Sequence, residues 1–382
     1  MSSWKSYKLG DIAEITSSKR IFYSEYVPSG IPFWRSKEVI EKFNRKNIST
    51  DLFISNEKYQ EIKSKFGVPQ QNDILLTSVG TLGIPYLVQS DEQFYFKDGN
   101  LTWIKNINNE LLNPLFLFKW LASSIGRESL SEITIGSTQE ALTISGLKTL
   151  ELLLPPLEEQ KAIAEVLSSL DDKIDLLHRQ NQILESLAQT LFRQWFIEEA
   201  KEEWEDGTFG DLVEVSSGKS LKRELFDDMG KYEVLGANGK IGKTNEWLFE
   251  EELIYTGRVG TLGNIFLIDE AKKVWLTDNT LVFKPKKYFY FIYFLMIDFE
   301  LENLNVGSTQ PLVRQSDLKN IEILLPNDEI VLRFEQQSKN IFKKINKNKK
   351  QIQTLENLRD TLLPNLLSGE VRVNLRIRRG NK

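Results

Sequence analysis

Two sets of cations, amides and small hydroxyls stand out in a chain poor in reactive side chains. Lys19, Arg20, Arg35, Lys37, Ser78, Thr81 and Gln139 form one set; Lys219, Lys222, Arg223, Asn238, Lys240, Arg258 and Thr261 form the other. Arg, Lys, Asn and Gln hydrogen-bond to base edges, while Ser, Thr and Gly approach phosphates closely. The chemistry open to these types is recognition rather than bond making. Several follow short apolar runs, where a loop presents side chains from a stable platform. Taken singly, each also reads as an ordinary solvated surface residue.

Catalytic chemistry finds little support. The chain has no cysteine and one histidine, His178. That excludes a Cys/His zinc site, a disulfide framework and thiolate chemistry. A Ser-His-Asp triad would have to use His178, which reads as a solvated residue on a helix face. "NPLF" (113–116) approaches the Asn/Asp-Pro-Pro-aromatic loop of adenine methyltransferases, but Leu115 stands where a proline is needed. It reads as a helix start with Pro114 in the first turn. "ANGKIGKT" (237–244) nearly spells a phosphate-binding loop, but Ala237 stands where a glycine should lead. No apolar run approaches the ~20 residues of a membrane span. The start, "MSSWKSYKLGDIAEI", lacks the apolar core of a secretory signal. The expectation is a cytoplasmic protein with no metal and no membrane partner. The net charge of -5 decides little, because local fields, not totals, draw a polyanion. Residues 156–203 carry 5 basic against 11 acidic side chains, and residues 327–382 carry 13 against 6.

The elements that position the two sets repeat. "SVGTLGIPYLV" (78–88) returns as "RVGTLGNIFLI" (258–268), and "LGDIAEITSSK" (9–19) as "FGDLVEVSSGK" (209–219). "DGNLTWIK" (98–105) matches "TDNTLVFK" (277–284), and "IGSTQEALTISGLKTLELLLP" (135–155) matches "VGSTQPLVRQSDLKNIEILLP" (306–326). The offset drifts from 200 to 180 to 171: one scaffold with different loops, written twice. Arg258 takes the place of Ser78, and a difference at an otherwise repeated position is where two sites could be told apart. The glycines of "VGTLG" read as turn formers, and "GSTQ" as a polar turn. Each copy reads as α+β. "GDIAEI" and "GDLVEV" alternate as half-buried strands do. "DILLTSVGTLG" and "ELIYTGRVGTLG" are strands ending in Gly-rich turns. "LLNPLFLFKWLASSIG" and "YFYFIYFLMIDFELEN" are helical packing segments, and "LLLP" and "ILLP" are closing strands ended by proline.

A long helix follows each copy. Apolar or small residues at 163, 167, 170, 174, 177, 184, 188, 191 and 195 alternate steps of four and three, the seam of a coiled coil. Phe334, Ile341, Ile345, Ile352, Leu355, Leu362 and Leu366 do the same. About 38 residues at ~1.5 Å each make a rod of roughly 57 Å. Asn181 and Asn348 interrupt the seams at a-like and d-like positions, which meet only across an antiparallel pair. The two asparagines are expected to pair and fix register. A domain at the start of each antiparallel helix would sit at opposite ends of the rod, related by a rough twofold.

Two related but unequal readers on a spacer suit duplex DNA, whose strands share that symmetry. The order of "LGDIAEI", "FGDLVEV", the doubled "GSTQ", "LLLPPLEEQKAIAEVL", "LFRQWF" and "LRDTLLPNLLSGEVRV" resembles the specificity subunits of Type I restriction-modification systems over essentially the whole chain. The resemblance implies an α+β protein with two pseudo-twofold-related target recognition domains separated by a long antiparallel two-helix coiled coil. The segments are recognition domain 1 (1–156), spacer helix 1 (157–200), recognition domain 2 (201–326), spacer helix 2 (327–370) and a basic tail (371–382). It implies a non-catalytic subunit that reads a bipartite asymmetric site in double-stranded DNA. Two methyltransferase subunits would dock on its helices and methylate adenine N6, with S-adenosylmethionine bound by them and not by this chain. Restriction subunits would join through them. "LPNDEIVLRFEQQ" departs from the first copy's "LPPLEEQKAIAEVL", so the second docking face is expected to differ in detail and not in role. A self-contained DNA-modifying enzyme and a coiled-coil scaffold for proteins are the alternatives.

Overall fold

The computed structural model describes residues 4–89, 92–136, 140–200, 204–258, 264–299 and 314–373. The chain forms two compact units, Met1–Asp175 with Gln353–Lys382, and Leu176–Ile352. Each contains one repeat and a segment of each long helix.

In the first unit, strand β1 (Lys5–Lys8) enters a helical turn, α1 (Leu9–Ile12), and then β2 (Glu14–Thr16). The alternation of "GDIAEI" predicts strand throughout. One turn of helix instead puts Leu9 and Ile12, three apart, on the same buried side. Next come β3 (Tyr26–Val27), β4 (Ile31–Trp34), α2 (Ser36–Phe43), β5 (Phe53–Ile54), α3 (Asn56–Phe66), β6 (Ile74–Thr77), β7 (Pro85–Leu87), β8 (Tyr95–Phe96) and β9 (Leu101–Lys105). One antiparallel sheet has the order β2-β9-β6-β7; a second has β3-β5-β4-β8, with β4 and β8 parallel. Helices α4 (Pro114–Ala122) and α5 (Ser124–Glu132) pack on this frame. Asn113 caps α4 by accepting from Phe116 N, with Pro114 in the first turn as its spacing predicts. Strands β10 (Thr134–Ile135) and β11 (Ala141–Leu142) lead to α6 (Ile144–Thr149), and β12 (Glu151–Leu154) returns to pair with β1.

After helix α7 (Leu157–Arg193), the second unit repeats the plan. Its elements are β13 (Glu205–Thr208), α8 (Phe209–Leu212), β14 (Val213–Ser217), β15 (Tyr232–Gly236), β16 (Gly239–Thr244), β17 (Leu253–Gly257), β18 (Ile265–Ile268), β19 (Val274–Leu276), β20 (Thr280–Pro285), α9 (Phe289–Asp298), α10 (Gln315–Lys319) and β21 (Glu322–Leu325). The sheet β14-β20-β17-β18 corresponds to β2-β9-β6-β7, and the pair β13-β21 to β1-β12. The parallel pair β15-β19 corresponds to β4-β8. Helices α2 and α3 have no counterpart among the described residues; the hairpin β15-β16 stands there instead. That replacement accounts for the fall in offset from 200 to 180 between the first two landmarks.

Helix α11 (Asp328–Ser368) completes both cores. In the first unit Ile163 and Leu167 of α7 share a cluster with Leu366 and Leu367, together with Leu9, Ile104, Phe116 and Leu152. In the second, Ala188 and Phe192 share one with Phe334 and Ile345, together with Phe209, Phe283 and Phe294. Low numbers on one helix meet high numbers on the other, so the helices run antiparallel within each unit. The seam positions read from the sequence are buried or half-buried throughout. The aromatic run "YFYFIYF" lies in α9, where Tyr290, Phe291, Ile292 and Phe294 are core.

Polar contacts fasten the helices to each repeat. Asp171 of α7 accepts from Lys119 of α4 at 2.5 Å, from Arg45 at 3.0 Å and from Arg359 of α11 at 3.1 Å. Gln160 Oε1 accepts from Asn113 N at 2.9 Å at the start of α4. In the second unit, Glu335 Oε1 accepts from Phe291 N at 2.6 Å near the start of α9. The divergent "LPNDEIVLRFEQQ" therefore supplies an acceptor to the corresponding helix from a different turn of α11. Among the described residues, no helix is long and apolar enough to cross a membrane.

Candidate nucleic-acid interface

In the first unit, antiparallel register gathers three loops at one end of a sheet. Thr16 lies opposite Trp103, Thr77 opposite Leu101, and Leu76 opposite Pro85. The loops after β2, after β6 and before β9 therefore share that end. They are bonded to their neighbours. Ser18 Oγ donates to Phe96 O at 2.7 Å and Lys19 N to Tyr95 Oη at 2.7 Å. Ser36 Oγ donates to Asn100 O at 3.4 Å, which brings the start of α2 alongside. Gly80 and Gly83 have φ of +81° and +73°, so the turn after β6 needs backbone conformations that glycine adopts without strain. A cleft of about 470 Å³, lined by Asp73, Trp103 and Lys105, lies at the other end of the sheet.

Four of the expected side chains reach solvent here. Lys19 is exposed, its Nζ 4.7 Å from the centre of the Phe66 ring. Arg20 is 69% exposed and its Nε meets Asp98 at 2.9 Å. Lys37 is exposed and donates to Ser49 O at 3.0 Å. Thr81 is exposed at the glycine turn.

Two of the expected side chains are engaged within the fold. Ser78 is 4% exposed; its hydroxyl lies 2.6 Å from Thr102 Oγ1 and donates to Leu76 O at 3.2 Å, so it braces the turn from inside. Arg35 is engaged by carboxylates: its Nη2 meets Glu38 at 2.9 Å and Asp51 at 2.7 Å. Its backbone N donates to Glu38 Oε2 at 2.7 Å. The hydrogen bond to fully buried Glu38 leads the causes that hold the guanidinium pKa above its usual value. Arg35 thus neutralises a buried carboxylate and starts α2. Gln139 lies outside the described residues.

The second unit repeats the loop end. Ser217 lies opposite Leu281, Gly257 opposite Thr280, and Thr256 opposite Ile265. Arg258 N donates to Asn279 O at 2.8 Å, as Ser78 N does to Asn100 O at 2.9 Å. The two residues are thus equivalent in backbone role, as the repeat predicts, and differ in what they present. The Arg258 side chain is half-buried; its Nε is buried and has no hydrogen-bond partner among the described residues.

Lys219 follows β14 with its side chain exposed. Its N donates to Leu276 O at 2.9 Å, and its O accepts from Trp275 Nε1 at 2.8 Å. This close approach requires Gly218, where a Cβ would stand 2.2 Å from Thr277 O. Lys222 and Arg223 are exposed, and Lys222 Nζ approaches Glu224 at 3.7 Å. Asn238 and Lys240 sit at the tip of the β15-β16 hairpin, which Thr277 N holds beside this end by donating to Leu235 O at 3.0 Å. Lys240 meets Glu233 at 3.2 Å, which also takes Lys272 at 3.0 Å. Burial raises the pKa of Glu233, but the hydrogen bond and charge of Lys272, followed by those of Lys240, outweigh it and hold the carboxyl below its usual range. Thr261 lies outside the described residues.

The sequence reading passed over Phe22 and Tyr23, which are exposed beside Lys19 and Arg20. An adjacent Phe-Tyr one residue beyond Lys19-Arg20, 200 positions before Lys222-Arg223, was the available signal. His178 is exposed on α7. Among the described residues, no cluster of His, Cys, Asp and Glu could hold a metal ion.

Comparison with known proteins agrees with this two-copy plan. Residues 1–186 and again 201–362 match the family described as the Type I restriction modification DNA specificity domain. The Type I restriction enzyme MjaIX specificity subunit of Methanocaldococcus jannaschii is 28% identical, over 97% of this chain and 94% of its own. The Type I restriction enzyme HindI specificity subunit of Haemophilus influenzae is 23% identical, over 97% of this chain and 100% of its own. The fold is similar to that of a Type-I restriction-modification system S subunit from M. genitalium. That match has a TM-score of 0.61 at 20% identity, covering 95% of this chain and 96% of the other. The chain belongs to the Type I restriction modification DNA specificity domain family, with two copies of the domain in tandem.

Proposed function

We propose that this chain is the DNA specificity subunit of a cytoplasmic Type I restriction-modification complex and carries out no reaction itself. Each repeat reads one half of a bipartite, asymmetric site in double-stranded DNA. Helices α7 and α11 set the unread spacer and receive two adenine-N6 methyltransferase subunits, through which restriction subunits join. S-adenosylmethionine belongs to the methylating partners.

The single observation that carries this reading is the pair Ser78 and Arg258. One backbone bond, at one end of one kind of sheet, presents a buried serine in the first copy and a half-buried arginine in the second. A shared scaffold with unlike side chains at its loop end is what two unequal half-sites require. The exposed Leu176, Ile183 and Leu187 of α7, with Leu332 and Leu358 of α11, supply apolar helix surface suited to protein partners.

The test is co-expression of the full chain with a Type I methyltransferase subunit encoded beside it, followed by mapping of N6-methyladenine. A split sequence motif that requires this chain supports the reading. Methylation at the same positions without the chain, or none with it, refutes it. A protein scaffold would give no sequence-selective retention of DNA even with its partners bound.

A further inference from the structure

We infer that the 3-10 turn after β2 in the first repeat, and after β14 in the second, is a specificity element that meets DNA by unlike chemistry: aromatic in the first repeat, cationic in the second. The inference rests on the DNA-reading function proposed above.

The turns are Tyr23–Glu25 and Arg223–Leu225, 200 positions apart. Their backbones make the same bonds. Glu25 N donates to Phe22 O at 2.9 Å, and Leu225 N to Lys222 O at 3.0 Å. Tyr26 N closes the first turn on Tyr23 O, as Phe226 N closes the second on Arg223 O. Each turn follows the strand that leads into the loop end, after Lys19 and Lys219. Equivalent positions therefore present Phe22-Tyr23 in one repeat and Lys222-Arg223 in the other.

The aromatic tip is both exposed and fixed. Phe22 is 63% and Tyr23 91% exposed. Glu25 Oε2 accepts from Phe22 N at 2.8 Å, and Glu25 Oε1 meets Lys58 at 2.9 Å. Buried Ile21 anchors the turn on one side; on the other, the Tyr26 ring lies 5.2 Å from that of Phe33. A tip held this way loses little freedom on binding. Two adjacent aromatics left in water forfeit hydrophobic free energy that burial against a partner would recover. Lys19 and Arg20 are exposed on the same loop. A partner that satisfies both is anionic along its backbone and offers apolar groups to an inserted side chain, which describes duplex DNA with its thymine methyls and base steps that a wedge can unstack.

The experiment uses the full chain in its methyltransferase complex and a duplex carrying the mapped motif, with affinity measured across a salt series. Phe22→Ala with Tyr23→Ala should weaken binding by about tenfold or more. The slope of log K against log salt should stay unchanged, since no phosphate contact is lost. Scrambling one half-site should abolish the difference from the parent. Lys222→Ala with Arg223→Ala should make the slope shallower by about 1 to 2, because neutralised phosphates are lost. An unchanged circular dichroism spectrum and melting temperature separate these effects from misfolding. Parental affinity in the aromatic variant, beside a parent that methylates a split motif, overturns this inference and leaves the function standing. Loss of the methyltransferase subunit from that variant also overturns it, because the turn would then be a protein contact. A parent that gives no motif overturns the underlying function.

Discussion

Asn348 Nδ2 donates to Asn181 Oδ1 at 2.9 Å, and the two residues are 0% and 7% exposed in the helix seam. The non-equivalent heptad positions of these residues predict this meeting and the antiparallel direction it requires. Asn348 Oδ1 has no hydrogen-bond partner among the described residues, so the pair is an imperfect polar contact inside an apolar seam. Its value lies in register rather than stability. Asn348→Leu alone should destabilise by about 1–3 kcal/mol, because Asn181 loses its partner in a buried site. Asn181→Leu with Asn348→Leu should recover most of that loss. Denaturant unfolding of the single and double variants measures the coupling, and additive losses would contradict it.

Asp171 gathers three cations, one of them the 7%-exposed Lys119. Removing the carboxylate leaves Lys119 buried without its counter-charge. Asp171→Ala should cost about 3–5 kcal/mol, as breaking a buried pair does. Burial alone would raise the Asp171 pKa, but the charge and hydrogen bond of Lys119, with those of Arg359, outweigh it and hold the carboxyl below its usual range. Folding therefore favours the ionised form. Its contribution is present above the ordinary aspartate pKa and is lost as pH falls through the lowered one. The acid limb of the stability profile should be shallower in Asp171→Asn than in the parent, as read from urea midpoints below about pH 4.

Glu335 has the opposite sign. Desolvation dominates and pushes its carboxyl up to about 7, despite the Phe291 and Tyr290 amides and the charge of Lys339. The folded state then binds the proton more tightly than the unfolded chain. This carboxyl thus lowers stability as pH rises from its ordinary range to about 7. Glu335→Gln keeps an acceptor for Phe291 N and removes the titration. The variant should melt about 2–4 °C above the parent at about pH 8, with a smaller difference near pH 5. Equal melting temperatures at both values would refute this assignment.

Periodicity made the helices, their seams and their antiparallel direction legible, because heptad steps and misplaced asparagines are local marks. The equivalence of Ser78 and Arg258 was legible for a similar reason: each directly precedes the same five repeated residues. What those side chains face was not legible. Ser78 is buried by Thr102, 24 residues away, and Arg35 is held by Glu38 and Asp51, the latter 16 residues away. Such partners are chosen by packing rather than by spacing. The helical turn at Leu9–Ile12 escaped because a run of six residues fits a strand period and a helix period equally well. Phe22 and Tyr23 escaped because aromatic residues are ordinarily assigned to the core.

An exchange of repeats tests whether the two repeats read separate halves of one DNA site. Residues 1–150 are replaced by the matching segment of a relative with a different target, and methylated adenines are mapped with the partner subunits present. The expected result is a split motif in which one half changes while the other half and the spacer persist. A change in both halves, or in neither, would contradict it.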